Sequence, residues 1–160
     1  MERINRILTC SMYQKYLNQN NLAEAERRFC HHNMGHFLDV ARIACILNIE
    51  EGYGQDRELI YAAALLHDIG RWKQYKDGTP HEMASANLAP EILSESGFSV
   101  GESGMILEAI KNHRNSTVKE EKSLQGLLYR ADKLSRPCFA CRMEKECDWK
   151  KGKKNLKLLI

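Results

Sequence analysis

Apolar residues recur along this chain at three- and four-residue intervals, with no sustained alternation of apolar and polar positions that would mark a strand. Phe37, Val40, Ala41, Ala44 and Leu47 make one stripe, in a helix that begins near Met34 and ends at Gly52 and Gly54. Leu59, Ala62, Ala63 and Leu66 make another over about Asp56 to Ile69, and that helix closes on His67-Asp68-Ile69-Gly70. Arg71 to Thr79 reads as a polar loop. Thr79-Pro80-His81-Glu82 then has the layout of a capping box, with Thr79 as cap, Pro80 at the first helical position and Glu82 reaching back. The helix it opens runs to about Ser96 and stops at Gly97. Met105, Ile106, Ala109 and Ile110 face inward in a helix over Glu102 to His113. Leu124, Leu128 and Asp132 form a row in a helix from about Glu120 to Arg136, ended by Pro137. Upstream, helices are expected over Arg3 to Gln19 and Leu22 to Phe29, with a break around His31 to Asn33. With only three prolines in the chain, the pattern predicts an all-α, single compact bundle of about six to eight helices.

Composition narrows the class. At 160 residues and 43% hydrophobic content the chain is long enough to bury a real core, and residues 1–160 are expected to form one domain. The longest apolar runs, Tyr61 to Leu66 and Leu156 to Ile160, are far too short for a bilayer, so no membrane partner is expected. Met1 to Arg6 lacks an apolar stretch and a small-residue cleavage site, which predicts a cytoplasmic protein. There, six cysteines point to reduced thiols or metal ligands rather than disulfides. The net charge is +3, and the lysines at 150, 151, 153, 154 and 157 read as a solvated tail, so charge does not imply a nucleic-acid partner.

The chemistry lies where polar residues interrupt the inward faces. His36, His67, His81, His113 and Asp132 each fall on or beside a face that the apolar pattern turns inward, and Asp68 follows His67 directly. One such residue alone reads as a hydrogen-bonded core histidine or an ion-paired acid. Four histidines and two aspartates together reverse that preference, because imidazole and carboxylate are ligands for Zn, Mn, Fe and similar ions and a bundle interior can gather them from separate helices. An ion held by His36, His67, Asp68 and Asp132 would polarise a phosphoryl oxygen and make water nucleophilic; His81 and His113 could hold a second ion bridged by Asp68. Arg71, Lys133 and Arg136 lie close enough in sequence to Asp68 and Asp132 to meet a phosphate, against a surface or ion-paired role for each. Trp72 and Tyr75 read as loop packing, with stacking on a base as the alternative, and His31 and His32 as helix-end or surface residues, with extension of the ligand set as the alternative.

Cys138, Cys141 and Cys147 give C-x2-C-x5-C in the extension 137–160, one ligand short of a closed tetrahedral site. Cys10, Cys30 or an outside ligand would complete a structural zinc or iron–sulfur site; three ordinary buried thiols are the alternative.

His36 to Arg42, Ala64 to Gly70 and Ala131-Asp132-Lys133 together resemble the ordered H…HD…D pattern of the HD superfamily, over about Met34 to Arg136. With His81 and His113 added, the chain resembles branches with an H…HD…H…H…D set, which bind two metal ions, often iron, and include bacterial diadenosine-tetraphosphate hydrolases. The resemblance implies an HD-type metal-dependent phosphohydrolase acting on a phosphoester or phosphoanhydride of a nucleotide or other small phosphorylated metabolite. His67, Asp68, Arg71 and Lys133 are its expected catalytic residues, and one or two divalent ions its cofactor. No Gly-Tyr-Pro follows His67-Asp68 and no histidine pair follows His81, a departure from the cyclic-dinucleotide phosphodiesterases of the superfamily. A non-catalytic nucleotide or metal sensor, and a di-iron oxygenase like other superfamily members, stand as alternatives.

Overall fold

The computed structural model of residues 1–160 has eight α-helices and no strand: α1 Glu2–Thr9, α2 Ser11–Ala23, α3 Met34–Glu50, α4 Arg57–Leu66, α5 Arg71–Asp77, α6 His81–Glu95, α7 Val100–Asn112 and α8 Leu124–Leu134. Short 3-10 turns follow at Ser116–Glu120, before α8, and at Cys138–Ala140, Glu144–Glu146 and Lys151–Lys153 after it. The expected all-helical class holds. No helix is long and apolar enough to cross a membrane.

The bundle is built around α4. Seven of its ten residues are buried, because Leu59-Ile60 and Ala62 to Leu66 are apolar on every side rather than along one stripe, the pattern of a helix enclosed by others. It packs on α1, α3, α7 and α8. Asp56 starts it, its carboxylate accepting from the backbone N–H groups of Glu58 (2.8 Å) and Leu59 (3.2 Å). Asn33 and Ser123 cap α3 and α8 in the same way. His67 and Asp68 follow the buried C-terminus of α4, so the fold places two polar side chains at its own centre.

Six local expectations are corrected. The first helix breaks at extended Cys10, giving α1 and α2, and the second ends at Ala23, so Leu22 to Phe29 is not a helix. Arg71 to Asp77 is helical rather than a polar loop. It buries no residue completely, so it shows no apolar stripe; its Trp72 ring stacks on Tyr16 of α2 at 6.5 Å. Thr79 does not cap α6: its hydroxyl donates to Asp77 (2.6 Å), Pro80 takes the cap position, and Glu82 pairs with Arg114 (3.2 Å). The capping box belongs to α7, where Ser99 and Glu102 satisfy each other's backbone N–H groups, and that earlier start leaves Met105 on the exposed side. The lysine tail is not wholly solvated either: Lys154 donates to Glu144 (3.1 Å), and Lys150 and Lys153 line a cleft.

Candidate metal centre

All six sequence-singled histidines and aspartates meet at the end of α4. His36 comes from the first turn of α3, His67 and Asp68 from the turn after α4, His81 from the start of α6, His113 from the end of α7 and Asp132 from the last turn of α8. His67, Asp68, His81, His113 and Asp132 are buried, and His36 nearly so. Their donor atoms fall into two groups, His36, His67 and Asp132, and Asp68, His81 and His113, each within 4.8 Å.

Asp68 stands between the groups. Its Oδ1 lies 3.1 Å from His81 Nε2 and 3.5 Å from His113 Nε2, while the two histidine nitrogens are 3.2 Å apart. Its Oδ2 lies 3.4 Å from His67 Nε2 and 3.9 Å from His36 Nε2. Asp132 Oδ1 completes that side, 3.5 Å from His36 and 3.9 Å from His67. Metal–ligand bonds of about 2.1 Å put neighbouring ligands roughly 3.0 to 3.5 Å apart, so these spacings match donors around first-row cations.

The backbone sets which nitrogen faces inward. His67 Nδ1 is 2.7 Å from the Ala64 carbonyl and His113 Nδ1 is 2.6 Å from that of Ile110. A carbonyl only accepts, so each Nδ1 carries the hydrogen and each Nε2 presents a lone pair to the centre. His81 Nδ1 faces the Gln74 amide oxygen at 2.5 Å. This is the arrangement by which outer hydrogen bonds orient histidine ligands. The inward atoms are then short of partners: His36 Nε2, His67 Nε2, Asp68 Oδ1 and Asp132 Oδ1 are buried without a hydrogen bond. Buried polar atoms are almost always satisfied, and lone pairs facing carboxylates are satisfied only by a cation or a proton. The donor set therefore fits divalent metal.

Electrostatics agree with that fit. Burial, and then the neighbouring His67, lowers the His36 pKa to about 3, and burial lowers that of His81 to about 3, keeping both neutral. Burial alone would raise Asp68 and Asp132, but the positive groups around them win and hold both well below the usual carboxylate range. His67 is opposed by burial, yet the neighbouring Asp68 charge raises its pKa.

For His32 the sequence favours a helix-end or surface role over joining the ligand set. His32 is buried and donates from Nδ1 to Glu24 (2.6 Å), so the surface role is wrong, and its Nε2 reaches within 3.8 Å of Asp68 Oδ2. Glu24 also receives the Tyr75 hydroxyl (2.7 Å); burial would raise its pKa, but His32 and Tyr75 lower it to about 2. His32 lies in a segment without helical periodicity, where no face can be assigned from sequence. His31, its neighbour, is exposed. Asn20, unforeseen from sequence, is fully buried; it donates to the Asp68 carbonyl and accepts from the Trp72 backbone N–H, both at 2.8 Å.

Above the centre is a cleft of about 910 Å³, and only three of its 22 lining residues are hydrophobic. Nine are Lys or Arg against three Asp, so the cleft suits an anion. Arg71 lies against His81, with Nη1 3.0 Å from both ring nitrogens, and receives a partner in Tyr75 (3.3 Å). Lys133 pairs with Asp132 and donates to the His113 carbonyl (3.3 Å), while Arg136 is 3.5 Å from Asp132 Oδ1. The tail closes one wall through Trp149, Lys150 and Lys153.

Comparison with known proteins agrees with this geometry. A family model described as HD domain matches residues 33–136. A protein of Clostridium beijerinckii, itself described as an uncharacterized protein, is 46% identical over 158 residues, covering 99% of each chain. No solved structure matches.

Proposed function

Given that the chain belongs to the HD-domain family, we propose that it is a phosphohydrolase that cleaves a phosphoester or phosphoanhydride bond in a nucleotide or another small phosphorylated metabolite. The observation that carries this reading is the convergence of unpartnered, buried Nε2 and carboxylate atoms beneath a cationic cleft. His36, His67 and Asp132 would hold one ion and His81 and His113 a second, with Asp68 contributing an oxygen to each side and His32 able to join the first set. Metal bound there supplies Lewis acidity toward a phosphoryl oxygen and acidifies water for attack.

The chain's own groups do the rest. Asp68, its two oxygens turned to opposite sides, fixes where the attacking water sits relative to the phosphorus. Arg71 offers planar, paired N–H donors to phosphate oxygens, and Lys133 a point charge on the opposite rim. Both are already held, Arg71 by Tyr75 and Lys133 by the His113 carbonyl, so little reorganisation is needed as negative charge develops. His67 is held by its tie to the Ala64 carbonyl, and Asn20 holds the Asp68 backbone carbonyl.

The test is a screen of metal-reconstituted protein against phosphorylated metabolites, following phosphate and nucleotide products together with dissolved oxygen. The reading expects phosphate release or nucleotide cleavage without oxygen uptake, and loss of product in Asp68→Ala. Oxygen consumption in place of hydrolysis would make the centre an oxygenase. Ligand-induced stabilisation without turnover across the panel would make it a sensor.

A further inference from the structure

The six cysteines are unevenly placed. Cys138 opens one 3-10 turn and Cys141 ends it, the Cys141 N–H donating to the Cys138 carbonyl at 3.2 Å; Cys147 ends the next turn. Cys30 lies on the loop between α2 and α3, which packs on this extension: Arg28 donates to Glu146 (3.0 Å) and touches the Met143 sulfur (3.6 Å). Cys30, Cys138 and Cys141 line one groove. Cys10 is elsewhere, against Glu95 at 3.6 Å, and Cys45 is in α3. Of the cysteines able to complete the C-x2-C-x5-C set, the fold therefore selects Cys30.

The Arg28–Glu146 pair, two residues from Cys30 and one from Cys147, brings the loop and the turn that ends at Cys147 together, beside the groove that Cys30, Cys138 and Cys141 line. Thiolates gathered around one groove are the soft ligands that zinc prefers. Arg28, Arg136 and Arg142 line the same groove and offset the negative charge that four thiolates leave around a divalent ion. The sulfurs are not grouped within 4.8 Å as the His/Asp donors are. All four thiols are part-exposed, on a loop and short turns, where χ1 rotation and small backbone shifts draw them together.

We propose that Cys30, Cys138, Cys141 and Cys147 bind one structural zinc ion as four thiolates, separate from the His/Asp centre, and so pin the C-terminal extension to the loop that carries His32. Each thiol loses its proton as the ion binds. No position is left open for a substrate, as in other closed zinc sites. The functional consequence follows from geometry. The extension supplies one wall of the catalytic cleft through Trp149, Lys150 and Lys153, and the loop supplies His32. One ion would thus hold the wall and the loop together.

Cobalt substitution tests this in the whole protein, because thiolate-to-cobalt charge transfer arises only from cysteine ligands. Cobalt-loaded wild type is expected to show that band with the strong visible absorption of tetrahedral cobalt. Cys30→Ser and Cys147→Ser should lose or markedly weaken it, and Cys45→Ser and His31→Ala should keep it. If the serine variants fail to fold, the wild type decides alone: a mercurial thiol reagent should release one zinc per chain as four thiols react. Absence of a thiolate band, an unchanged spectrum in Cys30→Ser, loss of the band in His31→Ala, zinc retention after thiol modification, or iron with acid-labile sulfide would each overturn the proposal.

Discussion

Gly70 shows how one residue positions the centre. A Cβ built there would lie 2.5 Å from the Ser85 nitrogen and 2.7 Å from the Ala84 carbonyl carbon, and the Gly70 N–H donates to the Ser85 hydroxyl at 2.9 Å. The turn after α4 therefore touches the backbone of α6, which is what brings His81 to Asp68. Gly70→Ala is expected to cost about 1–3 kcal/mol through overpacking and to lower metal occupancy, measured by urea unfolding and metal analysis; unchanged values for both would show that the close approach is dispensable. Asn20→Ala should cost on the order of 2 kcal/mol, since it removes two hydrogen bonds and leaves the Asp68 carbonyl and the part-buried Trp72 N–H without this partner; a loss of unfolding free energy in urea below a quarter of that would contradict the role. The site residues were legible because five of them fall on or beside a helical apolar stripe and Asp68 directly follows one of these, His67. Asn20, Glu24 and His32 were not: Asn20 reads as one of several polar residues in α2, Glu24 falls in an expected helix that the structure does not form, and His32 sits where the chain has no period.

At the scale of elements, legibility followed the same physics. α3, α4 and α8 have apolar stripes or runs bounded by Asn33, Asp56, Ser123 and Pro137, and their inward residues were readable. α5 has no buried residue to mark it and is ended by Gly78 at φ +80, a left-handed conformation that favours glycine. The capping-box signature precedes both α6 and α7, at Thr79 and at Ser99, and local hydrogen bonding decided between them: Asp77 takes the Thr79 hydroxyl, whereas Ser99 is free to serve Glu102. Ser99→Ala should therefore destabilise the protein by about 1 kcal/mol, while Thr79→Ala should leave the start of α6 unaffected. Thermal melts of the two variants check this, and equal losses would refute the assignment.

For the whole molecule, the bundle keeps His36 and His81 neutral in its interior, and that has a pH signature in chelated protein. Burial first of all lowers His36 and His81 to about 3, against about 6.5 unfolded. Between those values the unfolded chain binds protons that the folded chain does not, so this stability is present above about pH 6.5 and is lost as pH falls. His67, raised, acts in the opposite sense and contributes below its folded value; Asp68 and Asp132, lowered, contribute only to losses below about pH 4. Two groups outweigh one, and each of the two costs on the order of 1 kcal/mol from pH 6.5 to 5.5. The urea midpoint of chelated protein should fall over that range; a flat or rising midpoint would mean that the histidines are not held neutral.

The central claim, that the buried His/Asp set carries metal-dependent hydrolysis, is tested most directly by assaying chelated protein with and without added Mn²⁺ or Fe²⁺ on the best substrate of the screen, wild type beside Asp68→Asn. The expected result is turnover in the wild type only when metal is restored, and at least a ~100-fold loss in the variant, with both helical by circular dichroism. Turnover by fully chelated protein, or wild-type turnover by Asp68→Asn, would contradict it.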